Sequence, residues 1–152
     1  MKIVVLLAFI LYNGGVHSQE IKKSKWIIGP SVAYQYQENN FLKAAVWALT
    51  DLGYANYLRF DAAADLTFED KKAHIIPELG VTYYLDAKGV WPFIKGEFTP
   101  YTLTPKVGLG VFNIVELGMG YGFDIKQKEN LPLIRGFNFS IGMSIPINYH
   151  LY

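Results

Sequence analysis

Apolar and polar side chains take turns along most of this chain. In residues 58–68, LRFDAAADLTF, Leu58, Phe60, Ala62, Ala64, Leu66 and Phe68 fall on one side, and Arg59, Asp61, Ala63, Asp65 and Thr67 on the other. A repeat of two is the period of a β-strand, because successive side chains leave an extended backbone in opposite directions. Similar alternation marks eight segments, at 26–37, 41–52, 56–68, 73–85, 90–98, 101–112, 114–125 and 134–152. Turn-forming sequences separate them, DAKG after the fourth among them. Beyond the first residues there is no helical period, and no linker divides the chain, so the pattern predicts one all-β domain.

Alternation does not say which side faces inward. In a soluble protein the apolar side is core; in a membrane barrel it meets lipid and the polar side lines the lumen. Segment length bears on the choice. Most segments run 10 to 13 residues, longer than the usual 5 or 6 of soluble strands. About 11 residues at roughly 3.3 Å each, tilted by about 40°, rise close to 28 Å, enough for an outer-membrane apolar band roughly 25 Å tall.

The last three segments bear on it too. Their non-apolar side holds Gly108 and Gly110, then Glu116, Gly118, Gly120, Gly122 and Asp124, then Gly136, Asn138, Ser140, Gly142 and Ser144. Glycine weakens a strand and does nothing for a watery surface, whereas a narrow lumen has room for little else. The opposite side is an unbroken ridge of large apolar residues, from Val107 through Phe123 to Ile147. Aromatics gather near segment ends (Trp26, Tyr34, Tyr36, Tyr54, Tyr57, Phe68, Tyr83, Tyr84, Trp91, Tyr101, Tyr149, Tyr152), where interfacial girdles are built.

Composition then narrows the classes. Residues 1–18 have the form of a secretory signal: Lys2, the apolar run IVVLLAFILY at 3–12, and small residues before a cut after Ser18. Ten apolar residues are too few to cross a bilayer as a helix. Residues 19–25 form a polar lead, and 26–152 the barrel. Removing 1–18 takes away one charged residue, Lys2, and balances 13 basic against 13 acidic side chains. A neutral chain with no basic run offers nucleic acid no purchase. The absence of cysteine excludes a disulfide framework and an acylated lipoprotein N-terminus, and suits an exported bacterial envelope protein.

These features resemble the small eight-stranded outer-membrane β-barrel proteins of the outer-membrane protein A or X type. The resemblance covers residues 26–152 and rests on eight amphipathic segments and a final one, FNFSIGMSIPINYHLY, ending in an aromatic. It implies an eight-stranded antiparallel up-and-down transmembrane β-barrel in the bacterial outer membrane, in contact with outer-membrane lipid. It also implies insertion by the barrel-assembly machinery, which reads the last strand in that family. Tyr152 is out of phase with the outward Ile147, Tyr149 and Leu151. Pro77, Pro105 and Pro146 sit within segments and should mark bulges or local ends of pairing.

With that orientation the inward charges are Arg59, Asp61, Asp65, Glu78, Lys95, Glu97, Lys106, Glu116 and Asp124, with Lys43 and Asp51 as further candidates. Placing the last two inward also turns Trp47 and Leu49 inward. These charges could line a conduit or, the favoured reading, form a structural ionic network that plugs the lumen, since an unpaired buried charge costs several kcal/mol. Catalysis finds little support. Some barrels of this size modify lipid using Ser and His, but no motif joins Ser140 to His74, and His150 belongs near the other rim. Two lone histidines make no metal site, and ELGMGYGF at 116–123 has no following helix to cradle phosphate. The expectation is a non-enzymatic integral outer-membrane barrel with a structural or accessory role and no cofactor. An envelope protein partner is conceivable. The alternatives are an exported lipocalin-like barrel around an apolar ligand, and a lipid-modifying outer-membrane enzyme.

Overall fold

The computed structural model describes residues 26–69, 71–85, 88–112, 114–126 and 135–148. The signal and lead expected at 1–25 lie outside the described residues, as do His150 and the terminal aromatics Tyr149 and Tyr152. Eight strands form: β1 (Trp26–Gln37), β2 (Asn39–Gly53), β3 (Asn56–Glu69), β4 (Lys72–Leu85), β5 (Val90–Phe98), β6 (Thr102–Val111), β7 (Val115–Asp124) and β8 (Gly136–Ser144). Each pairs antiparallel with the next, and β8 returns to β1, closing a barrel with no free edge. There is no helix among the described residues. The all-β expectation holds, and strand boundaries fall within two residues of the predicted ones except in the eighth segment. There the regular strand stops at Ser144 rather than continuing through 148.

Following residues directly opposite one another once around the wall gives the barrel's shape. From Trp26 the path runs Thr50, Leu58, Tyr83, Ile94, Val107, Met119 and Phe139, and re-enters β1 at Tyr36, ten residues beyond its start. Closing eight strands with that stagger tilts them by roughly 40°. The displacement is even, so the circuit ends on the face where it began, and the two-residue repeat sorts every strand consistently into an outer and an inner set.

Turn chemistry is local. Tyr54 and Ala55, between β2 and β3, both take positive φ, as a two-residue hairpin loop of matching twist requires. The prolines sit where the ladder ends or lapses. Pro77 pairs with Ala64 on one side, and on the other β5 pairing begins only at Leu79↔Phe98. Pro105 pairs with Gly96 and faces a gap in β6–β7 pairing between Leu103↔Phe123 and Lys106↔Gly120. Pro146 lies beyond the end of β8. These are ends or lapses of pairing, not bulges: among the described residues the one register shift is between Asp51 and Gly53.

Candidate functional site

The inner face is where polar chemistry collects. Lys43, Arg59, Asp61, Asp65, Glu78, Glu97 and Lys106 are buried, and Lys95 and Glu116 nearly so. They form one layer in the middle of the lumen. Arg59, on β3, donates from Nε and Nη2 to Asp61 Oδ1 at 2.9 and 2.6 Å, and from Nη1 to Glu116 Oε1 on β7 at 2.8 Å and Ser144 Oγ at 2.9 Å. Its guanidinium stacks 4.8 Å from the centre of Trp47. That position suits a planar cation whose donors are all engaged sideways. The Tyr84 hydroxyl donates to the same Glu116 oxygen.

A second cluster gathers three carboxylates around Lys43, with Glu78 at 2.6 Å, Glu97 at 2.9 Å and Asp65 at 3.8 Å. Glu97 also holds Lys106 at 2.7 Å and Lys95 at 3.3 Å. Lys106 donates to Gln35 at 2.7 Å, and Gln35 and Asn138 both donate to Gln37. The network thus passes into neutral amides toward the β1–β2 end. Taking these charges out of water costs several kcal/mol apiece, which only dense mutual pairing offsets.

Apolar side chains close the two ends of this layer. Toward the β2–β3 and β4–β5 turns, Trp47, Leu49, Tyr84 and Phe93 pack together, with Ile27, Tyr57 and Trp91 against them. Tyr57 and Trp91 stack at 4.5 Å between centroids. Toward the opposite end, Phe41 and Ile76 pack with Tyr101. Trp47 and Leu49, inward by phase with Lys43, are therefore packing residues, and the Trp47 indole donates to Pro30 O at 3.0 Å.

Of the nine charges expected inside, eight come together in this layer. Asp124 does not. It shares the inner phase but lies exposed at the end of β7, 3.8 Å from Arg135, because the strand reaches the rim before its side chain can meet the network. Of the two further candidates, Lys43 is at the heart of the network. Asp51 is exposed instead, accepting from the Gly53 amide at 2.7 Å where the register shifts. Four aromatics expected in a girdle, Tyr57, Tyr84, Trp91 and Tyr101, instead pack in the inner clusters. Gln35, Asn138, Ser31 and Ser144 joined the network unannounced by charge; their inner phase was the available signal. Ser140 lies in the interior on β8 and His74 at the start of β4, on nearly opposite walls, with no hydrogen bond joining them. No group of three or more His, Cys, Asp or Glu among the described residues is arranged to hold a metal ion.

The outer face is the reverse. Large apolar side chains stand exposed on every strand, among them Val46 at 59%, Ile75 at 69%, Ile94 at 61% and Phe137 at 62%. Tyr34, Tyr36, Phe68, Tyr121, Phe123 and Phe137 crowd toward the end that holds the β1–β2 turn. No protein-family model matches the chain, and neither does any curated protein or solved structure.

Proposed function

We propose that this protein is a small integral β-barrel of the bacterial outer membrane, with a structural or accessory role and a lumen sealed by its ionic network. The observation that carries the reading is inverted polarity: charges fill the middle while the continuous outer belt is apolar. A monomeric soluble surface rarely exposes a contiguous apolar patch beyond a few hundred Å², whereas acyl chains solvate such a belt at no cost. Closure of the ladder supports it further, since a barrel leaves no unpaired edge to desolvate in lipid.

On this reading residues 1–18 direct export, the belt meets outer-membrane lipid, and the assembly machinery inserts the chain. An ionic layer between two apolar end clusters is a plug rather than a conduit. A lipocalin-like carrier would need the opposite arrangement, an apolar interior beneath a polar surface. Catalysis on lipid would need His74 and Ser140 to converge, and they stand apart. The test is fractionation of cells expressing the chain, with gel migration before and after boiling. Extraction by detergent alone, with a heat-dependent mobility shift, is expected; release by osmotic shock as a species monodisperse in plain buffer would overturn the reading.

A further inference from the structure

The interior is not filled completely. Two adjoining cavities of about 30 Å³ each lie within the ionic layer. Gln35, Glu97, Lys106 and Ser140 wall the first, and Ser31, Arg59, Asp61 and Glu78 the second. Lys95 and Glu116 border both, as do Ala33 and Gly142 where β1 meets β8. A buried water needs about 10–15 Å³ and two to four polar partners. Both cavities meet each condition.

Two groups on these walls lack what they need. Asp61 is 5% exposed, and its Oδ2 accepts no hydrogen bond, both Arg59 bonds going to Oδ1. Lys95 Nζ lies 3.8 Å from that oxygen and 3.3 Å from Glu97 Oε1, yet donates no hydrogen bond among the described residues. Among the described residues Lys95 is also the one side chain ion-paired to both clusters, the Arg59–Asp61–Glu116 group and the Lys43–Glu97–Lys106 group. At the junction between the clusters, then, an unmet acceptor, an ammonium with no hydrogen bond and unfilled space coincide.

We propose that this junction is a binding site for ordered water. Each cavity holds at least one molecule, and Lys95 donates to both. The water on the Arg59 side links Lys95 to Asp61 Oδ2; the other sits among Lys95, Glu97 and Ser140. The ligand is of necessity small, and both donates and accepts. Its presence turns two ion clusters into one continuous hydrogen-bonded body. The site belongs to the lumen, so its existence is independent of the medium outside the barrel.

Ala33 provides the test, because it faces both cavities and sits opposite Lys43 and Gly142 in the ladder. The full chain, folded in detergent micelles, would be compared with Ala33→Val and Ala33→Ser by urea midpoint and by deuterium relaxation dispersion of water. Wild type should show a long-lived water component whose amplitude falls in Ala33→Val. The midpoint should drop for Val, whose methyls displace water without replacing its hydrogen bonds, and hold for Ser. A raised midpoint for Val, the signature of a dry hole being filled, would overturn the proposal. So would the absence of any long-lived component in wild type, a measurement that decides alone should Ala33→Val not fold.

Discussion

The barrel has two unlike halves. Strands β1 to β4 run 12 to 15 residues and send large side chains inward: Trp47, Leu49, Arg59, Glu78 and Tyr84. Strands β5 to β8 run 9 or 10 residues, and β6 to β8 turn Gly108, Gly110, Gly118, Gly120, Gly122 and Gly142 to the same lumen. Side chains of the first half reach across the lumen to the second. Arg59 crosses from β3 to Glu116 on β7 and Ser144 on β8. A Cβ on Gly108 would strike the Leu117 carbonyl and the Phe93 ring, and one on Gly118 would come within 3.1 Å of Ser140 Oγ and 3.4 Å of Phe93 Cζ. On β6 and β7 glycine leaves room for side chains of neighbouring strands, Phe93 of β5 and Ser140 of β8 among them. A narrow closed barrel must divide the work somehow, since eight inward ridges of full-sized side chains would overfill it.

The sharpest way to break this arrangement is to remove its longest reach. Arg59→Leu keeps bulk against Trp47 but takes from Asp61 and Glu116 the cation they share, leaving Asp61 only the 3.8 Å contact with Lys95. Breaking one partner out of a buried pair costs about 3–5 kcal/mol. The urea unfolding midpoint in micelles should fall accordingly. Arg135→Leu, which removes only a 3.8 Å contact at the exposed rim, should change stability by about 1 kcal/mol or less. Equal effects at the two arginines would mean that the lumen network contributes no more than a surface pair.

A smaller effect tests the claim that glycine makes way for the side chains of neighbouring strands. Gly118→Ala brings a methyl group to 3.1 Å from Ser140 Oγ and should cost about 1–2 kcal/mol, as overpacking usually does. Combined with Ser140→Ala, which removes the crowded hydroxyl, the penalty should shrink, giving a coupling energy of at least about 0.5 kcal/mol in a double-mutant cycle. Strict additivity would show that the two residues do not compete for one space.

How the halves divide the lumen was only partly legible beforehand. Alternation assigns inner and outer faces within a strand, because that depends on nothing but backbone geometry. It therefore located Arg59, Asp61, Asp65, Glu78 and Glu97, and the glycine side of β6 to β8. What it cannot give is how far up the barrel each inward residue sits, because that follows from the ten-residue stagger accumulated over eight pairings. Asp51 and Lys43 share a phase, yet one ends at a shifted turn and the other in the network. Asp124 and Glu116 share a phase and a strand, yet only Glu116 meets Arg59. Tyr84 was legible by phase, being inward with Glu78, but its residue type suggested a girdle, and type is the weaker guide on a strand whose ends face both media.

The smallest predicted effect concerns a seam where long half meets short. β1 and β8 pair regularly only from Ser31↔Ser144 to Tyr36↔Phe139. The next bond runs from the Ile145 amide to Pro30 O at 2.9 Å, and Pro30 has no N–H with which to answer it, so regular pairing lapses there. The chain nevertheless follows β1 onward: Ile147 N donates to Ile28 O at 2.9 Å, and Asn148 completes the work with its side chain. Its Oδ1 accepts from the Ile28 amide at 2.8 Å and its Nδ2 donates to Trp26 O at 2.9 Å. One amide side chain stands in for a ladder pair that the shorter strand does not reach. Asn148→Ala should therefore cost about 1 kcal/mol, the net worth of such bonds near a rim where water can partly replace them. Its signature is local. Hydrogen exchange at the Ile28 amide should accelerate while that at Val32, within the regular ladder, stays unchanged, and an Ile28 amide protected as in the unsubstituted chain would show that the seam closes without Asn148.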